Sequence, residues 1–513
     1  MGEPSTSHIV FRGGMLLTLH GPQGFEASVG DLVVAGDRIV SVGGSARPEP
    51  EDVVVEAAGK LLMPGLVNAH THSSETFLRG RFERMPLEVW SLYAYPFFTE
   101  TPVSPRLLYL RSLLLAMESL KSGVTAISDD FFDPPGHDLQ RMLAAVQAYD
   151  DIGIRATVSN AVINLPTLDT LPYARDIVPP DLQARLDAAP LTDLAAYLDF
   201  CEAARAEFHG RKGRLRFMVA PSAPQRCPPD FLVACHDFAV RHDMQFHTHV
   251  LETRVQAVTG PAFHGRSLIA TMADLGILGP QATLAHAVWV SDDDMELMGE
   301  AGVSVAHNAI SNLRLGSGVA PIRRMLDAGV NVALGTDGLS SNDSARVFDL
   351  MRVAALVQGV PGPDPSEWLT AAEVLAMATT GGATAARLGR DTGALGVGMA
   401  ADVVMLDLGR LPFVPLNDPV KHLVFAENGG SVELVMVAGE IVVRDGRLLA
   451  VDESEVIAEI AELMPAHLAE QARAEERGRV LEPYFAEVHR RASLVDVGMR
   501  RYAGDLAPWR RRD

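Results

Sequence analysis

Eight apolar, β-branched segments recur through the middle of this chain: "LVNAHTH", "GVTAISDD", "IRATVSNAV", "LRFMVAPSAP", "MQFHTHVLE", "ATLAHAVWV", "VSVAHNA" and "NVALGTDG". Stretches of helical periodicity separate them, "SPRLLYLRSLLLAMESLKSG" and "HDLQRMLAAVQAYDDIG" among them. A strand covered by helices is apolar along its whole length, because both faces of its sheet are buried. Eight strands alternating with helices predict an α/β chain folded as a (β/α)8 barrel of the TIM type, with a doubly wound sheet as the weaker rival.

The two ends read differently. "HIVFRGGMLLTL", "DLVVAGDRIVSVGG" and "DVVVEAAGKLLM" are short strands with turns, and a matching set, "ADVVMLDL" and "VELVMVAGEIVVRDG", returns late in the chain. The expected organisation is a small β-sandwich built from residues 1–63 and 396–450, a catalytic barrel over 64–395, and a helical tail over 451–513.

Composition narrows the function. The 513 residues carry 44 basic against 65 acidic side chains, a net charge of −21, which argues against a nucleic-acid partner. The basic end "PWRRRD" is the local exception and reads as a solvated tail or subunit contact. Three cysteines, Cys201, Cys227 and Cys235, give no disulfide framework. The start has no charged segment leading into a long apolar core, and no apolar run reaches the length of a membrane span. A cytoplasmic enzyme with a small-molecule substrate and no membrane partner is the expectation.

Polar residues mark the C-terminal ends of the eight segments, the face on which barrel enzymes build their sites. His70 and His72 fall on the first, Ser222 on the fourth, His247 and His249 on the fifth, His286 on the sixth, His307 on the seventh and Asp337 on the eighth. Residues two apart on a strand point the same way, so His70 and His72 reach into one space. An isolated HxH is also compatible with two surface histidines in a loop; the other segments decide. His70, His72, one of His247 and His249, and Asp337 supply the three or four N/O donors a divalent ion needs, a set suited to zinc or iron rather than magnesium or calcium. Glu252, three residues after His249, is placed either as a proton shuttle or as a carboxylate capping the next helix.

In this order, "PGLVNAHTH", "HTHVLE", "HAVW", "HNAISNLRLGSG" and "LGTDG" resemble the amidohydrolase superfamily, in the branch of triazine hydrolases and S-adenosylhomocysteine/methylthioadenosine deaminases. The resemblance runs from about Gly65 to Phe348, with further similar text at "GVGMAADVVMLDL". It implies the same barrel and sandwich, with His70, His72, His249 and Asp337 as metal ligands and Glu252 and His286 as the acid/base pair. His247 then becomes a neighbour of the ligands, and His307, with Asn312, Leu313 and Gly316, orders a loop or lines the pocket. Binuclear relatives bridge two metals with a carboxylated lysine or a glutamate. The four lysines here, Lys60, Lys121, Lys212 and Lys421, stand away from the strand ends where a bridge belongs, so one ion per subunit is expected, zinc first and iron second. The resemblance also implies a homo-oligomer, dimer or tetramer.

The chemistry expected of such a site is attack by a metal-bound hydroxide on a carbon bearing nitrogen, with cleavage of the C–N bond. Two departures from the nucleoside deaminases bear on substrate. "APSAPQRCPPD" puts Ser222 where they carry a histidine, and "VWSLYAYPFFTE" puts Phe98 where they carry a sugar-binding glutamate. Both argue for a non-nucleoside amino-heterocycle. Trp90, Tyr93, Tyr95, Phe97 and Phe98 either clamp a flat ring or pack a lid helix. Arg226 and Ser341 are placed beside the pocket, Arg226 either holding a carboxylate or carbonyl oxygen or pairing with an acidic side chain on the rim. The alternatives are an amide, urea or carbamate hydrolase on an aryl substrate, and a non-catalytic barrel; the full ligand and acid/base set speaks against the latter.

Overall fold

The computed structural model describes residues 7–19, 24–99, 101–133, 136–389 and 391–502; "PWRRRD" lies outside the described residues. The chain opens with five strands, β1 (His8–Leu19), β2 (Phe25–Ala35), β3 (Arg38–Val42), β4 (Val53–Glu56) and β5 (Lys60–Pro64). The barrel strands follow: β6 (Leu66–His72), β7 (Val124–Asp129), β8 (Arg155–Val158), β9 (Leu215–Phe217), β10 (Phe246–Val250), β11 (Ala282–His286), β12 (Ser304–His307), β13 (Asn331–Leu334) and β14 (Asp337–Gly338). Four more close the sequence of strands: β15 (Val403–Asp407), β16 (Val432–Val437), β17 (Glu440–Arg444) and β18 (Arg447–Leu448).

Parallel pairing runs from β6 through β7 and β8 to β9, and from β10 through β11 and β12 to β13. A parallel bridge between Val219 and Phe246 joins the two runs. β13 and β14 act as one interrupted strand, the first half pairing β12 and the second pairing β6 (Asp337 opposite Thr71), so the barrel closes with eight strands. β6 is buried at all seven positions, as expected of a strand with helices outside and side chains filling the barrel within.

The two ends of the chain meet in one nine-stranded mixed sheet, in the order β18-β17-β16-β15-β5-β1-β2-β3, with β4 also on β1. The expected sandwich is therefore a single hydrogen-bonded sheet. β1 makes this possible: Ile9–Arg12 pair with β4, and after a register shift at Gly13, whose φ is +71°, Met15 and Leu16 pair with β5. Phe11, Leu32 and Leu62 from the first half pack with Val403, Met405 and Leu434 from the second around one core.

Beyond the sheet, helices Glu453–Gly478 and Glu482–Ser493 return to the barrel. Phe485, Val488 and Ala492 join Leu87, Trp90 and Leu92 of the helix Leu87–Ala94 in a hydrophobic cluster separate from the main core. Arg501 then donates to the carbonyls of Val288 (2.7 Å) and Val290 (2.5 Å), tying the C-terminal segment to the loop that follows His286. No described helix is long and apolar enough to cross a membrane.

Candidate metal centre and substrate cavity

At the C-terminal mouth of the barrel, backbone carbonyls set the histidine tautomers. His72 Nδ1 donates to the Asp130 carbonyl at 2.6 Å, and His249 Nδ1 donates to the Ser222 carbonyl at 2.8 Å. Each ring thereby turns its Nε2 lone pair inward. His70 is held at Nδ1 by His247 Nε2, 2.9 Å away, and its own Nε2 is buried with no hydrogen-bond partner.

Asp337 completes the cluster from an unusual backbone position, with φ at +62°. Both neighbouring glycines in "LGTDG" are sterically required. A Cβ on Gly338 would stand 1.7 Å from the Glu75 carboxylate, and one on Gly335 would stand 2.3 Å from Asn308 Oδ1. The Gly338 N–H donates to Asp337 Oδ1 at 2.9 Å, and the Ser311 hydroxyl donates to Oδ2 at 2.6 Å.

The donors converge at a spacing a metal explains. His70 Nε2 and His72 Nε2 each lie 3.3 Å from Asp337 Oδ1, and His249 Nε2 lies 3.3 Å from His72 Nε2. Donors about 2.0–2.1 Å from one ion at tetrahedral angles stand roughly 3.3–3.4 Å apart. The orphaned Nε2 of His70 and three overlapping trios of donors, His70 with His72 and Asp337, His70 with His249 and His286, and His72 with Asp130 and His249, fit a zinc-like divalent ion.

The electrostatics agree. Burial, eased only in part by Asp337, lowers His70 to about 4, and burial with the surrounding imidazoles holds His247 and His249 well below their ordinary range. Burial also opposes charge on His72, yet Glu75, Asp337 and Asp130 together raise it to about 9. Without a metal the cluster thus carries its positive charge as a proton on His72, in the place a cation would take.

His286 and Glu252 stand beside this cluster. His286 Nδ1 donates to Asn312 Oδ1 at 2.9 Å, and its Nε2 lies 3.7 Å from Glu252 Oε2 and 3.8 Å from Asp337 Oδ2. Like Asp337, His286 has a positive φ, +74°. Two residues with left-handed backbone, at the mouth ends of the sixth and eighth barrel strands, mark local strain where the surrounding structure dictates side-chain direction. Burial raises Glu252 to about 7, so it can give or take a proton near neutrality.

A cavity of roughly 350 Å³ opens above these groups, walled mainly by apolar side chains. Trp90, Tyr95, Ser222 and Arg226 line it, together with His72, His249, Glu252, His286 and Asp337. Three expected lining residues do not. Phe98 is part-buried against the cluster of Leu87, Trp90 and Phe485, with the Arg185 guanidinium 4.1 Å from its ring centroid, and Phe97 lines the cavity. His307 is buried behind His286 with both ring nitrogens unpartnered. Ser341 lies behind Asp337, bonded to Ser311 Oγ at 3.0 Å. His247 also stays out of the cavity, behind His70.

Several lining groups escaped the sequence reading. Glu75 accepts from Tyr95 Oη (2.5 Å) and Ser340 Oγ (2.6 Å). Glu88, on the helix Leu87–Ala94, accepts from Thr253 Oγ1 (2.8 Å) and His489 Nδ1 (2.9 Å). Phe485 comes from the helical tail. Only Glu75 had a usable signal, its place three residues after His72 at the end of a metal-binding strand.

A closed barrel with this cluster at its mouth is the architecture of a metal-dependent hydrolase. The chain belongs to the amidohydrolase family, whose pattern matches residues 61–442. It is 34% identical over 451 residues to a 5'-deoxyadenosine deaminase of Methanosarcina mazei, covering 88% of this chain and 96% of that one. It is 33% identical over 460 residues to a 5-methylthioadenosine/S-adenosylhomocysteine deaminase of Pelotomaculum thermopropionicum, with 88% and 97% covered. Among solved structures it is similar to a zinc-bound adenosine deaminase from Xanthomonas campestris (TM-score 0.77, 26% identity, 93% of this chain and 100% of that one). An atrazine chlorohydrolase from Arthrobacter aurescens, also complexed with zinc, is similar at a TM-score of 0.80 and 26% identity, with 89% and 100% covered.

Proposed function

We propose that this protein is a hydrolytic deaminase of an amino-substituted N-heterocycle that is not a nucleoside, working with one divalent ion, zinc, per subunit. The observation that carries the reading is the clustering of His70, His72 and Asp337, with His249 Nε2 3.3 Å from His72 Nε2, beside Glu252 and His286 on the cavity floor. His70, His72, His249 and Asp337 would hold the ion. Bound there, it would act as a Lewis acid and lower the pKa of a water at its open position.

The protein's own groups do the rest. Asp337 Oδ2, steadied by Ser311, accepts the proton the attacking water loses. The water oxygen bonds to the ring carbon bearing the amino group. His286 Nε2 hydrogen-bonds the oxygen as that carbon becomes tetrahedral. Glu252 delivers a proton to the nitrogen side, the C–N bond breaks, and ammonia leaves behind an oxo-substituted ring. The apolar wall with Trp90, Tyr95 and Phe97 suits a flat ring. Ser222, in place of the histidine of the nucleoside deaminases, supports the non-nucleoside reading.

The test is a panel of amino-substituted purines, pterins, pyrimidines and s-triazines given to the zinc-loaded protein, with 5'-deoxyadenosine and methylthioadenosine alongside. Ammonia release and a one-dalton mass gain (NH2 to OH) on a free base are expected. Turnover of the nucleosides in preference to every free ring would overturn the non-nucleoside reading. Cleavage of aryl amides, ureas or carbamates to an amine and an acid, with no ammonia from the rings, would move the enzyme to that class.

A further inference from the structure

Arg226 is the one lysine or arginine among the residues lining the cavity. Of the carboxylates on the same wall, Glu75 is engaged by Tyr95 and Ser340, Glu88 by Thr253 and His489 and Asp133 by Arg141, while Glu252 lies 3.7 Å from His286 Nε2. Arg226 makes one side-chain hydrogen bond, from Nη1 to Ser222 Oγ at 3.0 Å, and no ion pair with any described residue. Burial pushes its pKa down, and the charges of Glu252 and Glu88 on the same wall oppose that shift without an ion-pair contact. A part-buried guanidinium on a cavity wall, with one hydrogen bond and no ion pair, keeps N–H donors free for an anion from outside the chain.

Its position is also built. Arg226 closes the short turn Pro224–Arg226 after β9, and its carbonyl accepts from the Asn164 N–H at 2.9 Å. Ser222 joins it to the metal cluster, since the Ser222 hydroxyl accepts from Arg226 while the Ser222 carbonyl holds His249. A serine here leaves room for the guanidinium that a larger side chain would fill.

We propose that Arg226 and Ser222 form a subsite for a carboxylate carried by the substrate, so that the ring deaminated, or the aryl group hydrolysed, is an acidic one. This rests on the reading of the site as a C–N hydrolase and adds the substrate class to it. A planar guanidinium matches a carboxylate with paired N–H donors. The single positive charge balances a monoanion; a phosphate dianion would bring a second negative charge into a cavity already bordered by Glu75, Glu88 and Glu252.

The test is equilibrium binding of benzoate, benzamide and phenyl phosphate to the zinc-loaded wild type and to R226Q and R226K. Benzoate is expected to bind the wild type about tenfold or more tightly than its neutral isostere benzamide. The preference should vanish in R226Q and survive in part in R226K, with benzamide affinity equal in all three to show that the cavity is intact. Equal affinities in the wild type overturn the subsite. So does a benzoate preference that persists in R226Q, which would place the anion on the metal. Tighter, Arg226-dependent binding of phenyl phosphate overturns the carboxylate assignment. Failure of the deaminase reading looks different: no ring or amide is turned over, yet the Arg226-dependent benzoate preference stands.

Discussion

His247 Nε2 lies 2.9 Å from His70 Nδ1, with the two rings stacked 4.9 Å apart at 20°. For His70 Nε2 to face a metal with a free lone pair, Nδ1 must carry the proton and donate it to His247. His247 then holds its own proton on Nδ1, 3.3 Å from the Gln245 amide. Turning that amide places Gln245 Oε1, otherwise buried without a partner, as the acceptor. A chain from Gln245 through His247 thus fixes the tautomer of one ligand from behind. His247→Phe is expected to lower zinc affinity about 10–100-fold. Chelator competition measures this, and an unchanged affinity would show that His247 only fills space.

Glu252 gives a pH prediction for the metal-free protein. Burial raises it from an ordinary 4.5 to about 7, so the folded state binds its proton more tightly than the unfolded chain does. Its contribution to stability is complete below about pH 4.5, declines as pH rises, and is lost above pH 7. A shift of that size corresponds to roughly 3 kcal/mol. E252Q should therefore be more stable than wild type at pH 8 by that order, and the difference should shrink toward zero at pH 4.5, read from denaturant unfolding across the range. Zinc-loaded E252Q should retain its metal and lose about 10²–10⁴-fold in kcat. A stability difference independent of pH would mean that Glu252 is not held protonated.

Strands β6, β7 and β11 were legible because each is a short, mainly apolar run, buried at every position and ending in a polar residue, with no alternation to confuse with a surface strand. The places of His70, His72, Asp337 and the pair His247/His249 at strand ends were legible from local spacing, while the choice of His249 and the pairing of Glu252 with His286 came from the resemblance to the amidohydrolases. The cavity wall was not. Glu88 meets Thr253 and His489, 165 and 401 residues away, and Glu75 meets Ser340, 265 residues away. No periodicity encodes such pairs. Of the two neighbouring rings that the sequence offered for the wall, Phe97 lines the cavity and Phe98 packs beside it, a difference that one residue of register in the loop after the helix Leu87–Ala94 decides.

The barrel and the terminal sheet are joined by one buried ion pair. Arg155 on β8 makes paired 2.9 Å bonds to both oxygens of Asp402, just before β15, and Asp402 also accepts from the Ala438 N–H at 2.7 Å. Both side chains are at most 5% exposed. Asp402→Ala should cost about 3–5 kcal/mol, because it strands a buried guanidinium. Replacing both partners, R155M with D402A, should cost less than that single change. Urea unfolding of D402A, R155M and the double variant provides the comparison, and additive costs would contradict the pairing.

The helical tail is expected to work as the outer wall of the cavity. Burial alone would raise Glu88, but the His489 bond, aided by Thr253, holds it below the usual carboxylate range. Thr253 follows Glu252 directly, so the contact joins the helix Leu87–Ala94, the tail helix Glu482–Ser493 and the acid/base loop at one carboxylate. His489→Ala removes a charge-supported bond worth about 1.5–3 kcal/mol, which is roughly a 10–150-fold change in a local opening equilibrium. Amide exchange should accelerate by that order in residues 87–94 and 482–493 and stay unchanged in the barrel strands β6 and β10. Gln at position 489, which can still donate to Glu88, should restore part of the protection. Uniform acceleration across the chain would instead mean that His489 supports global stability and has no particular hold on the wall.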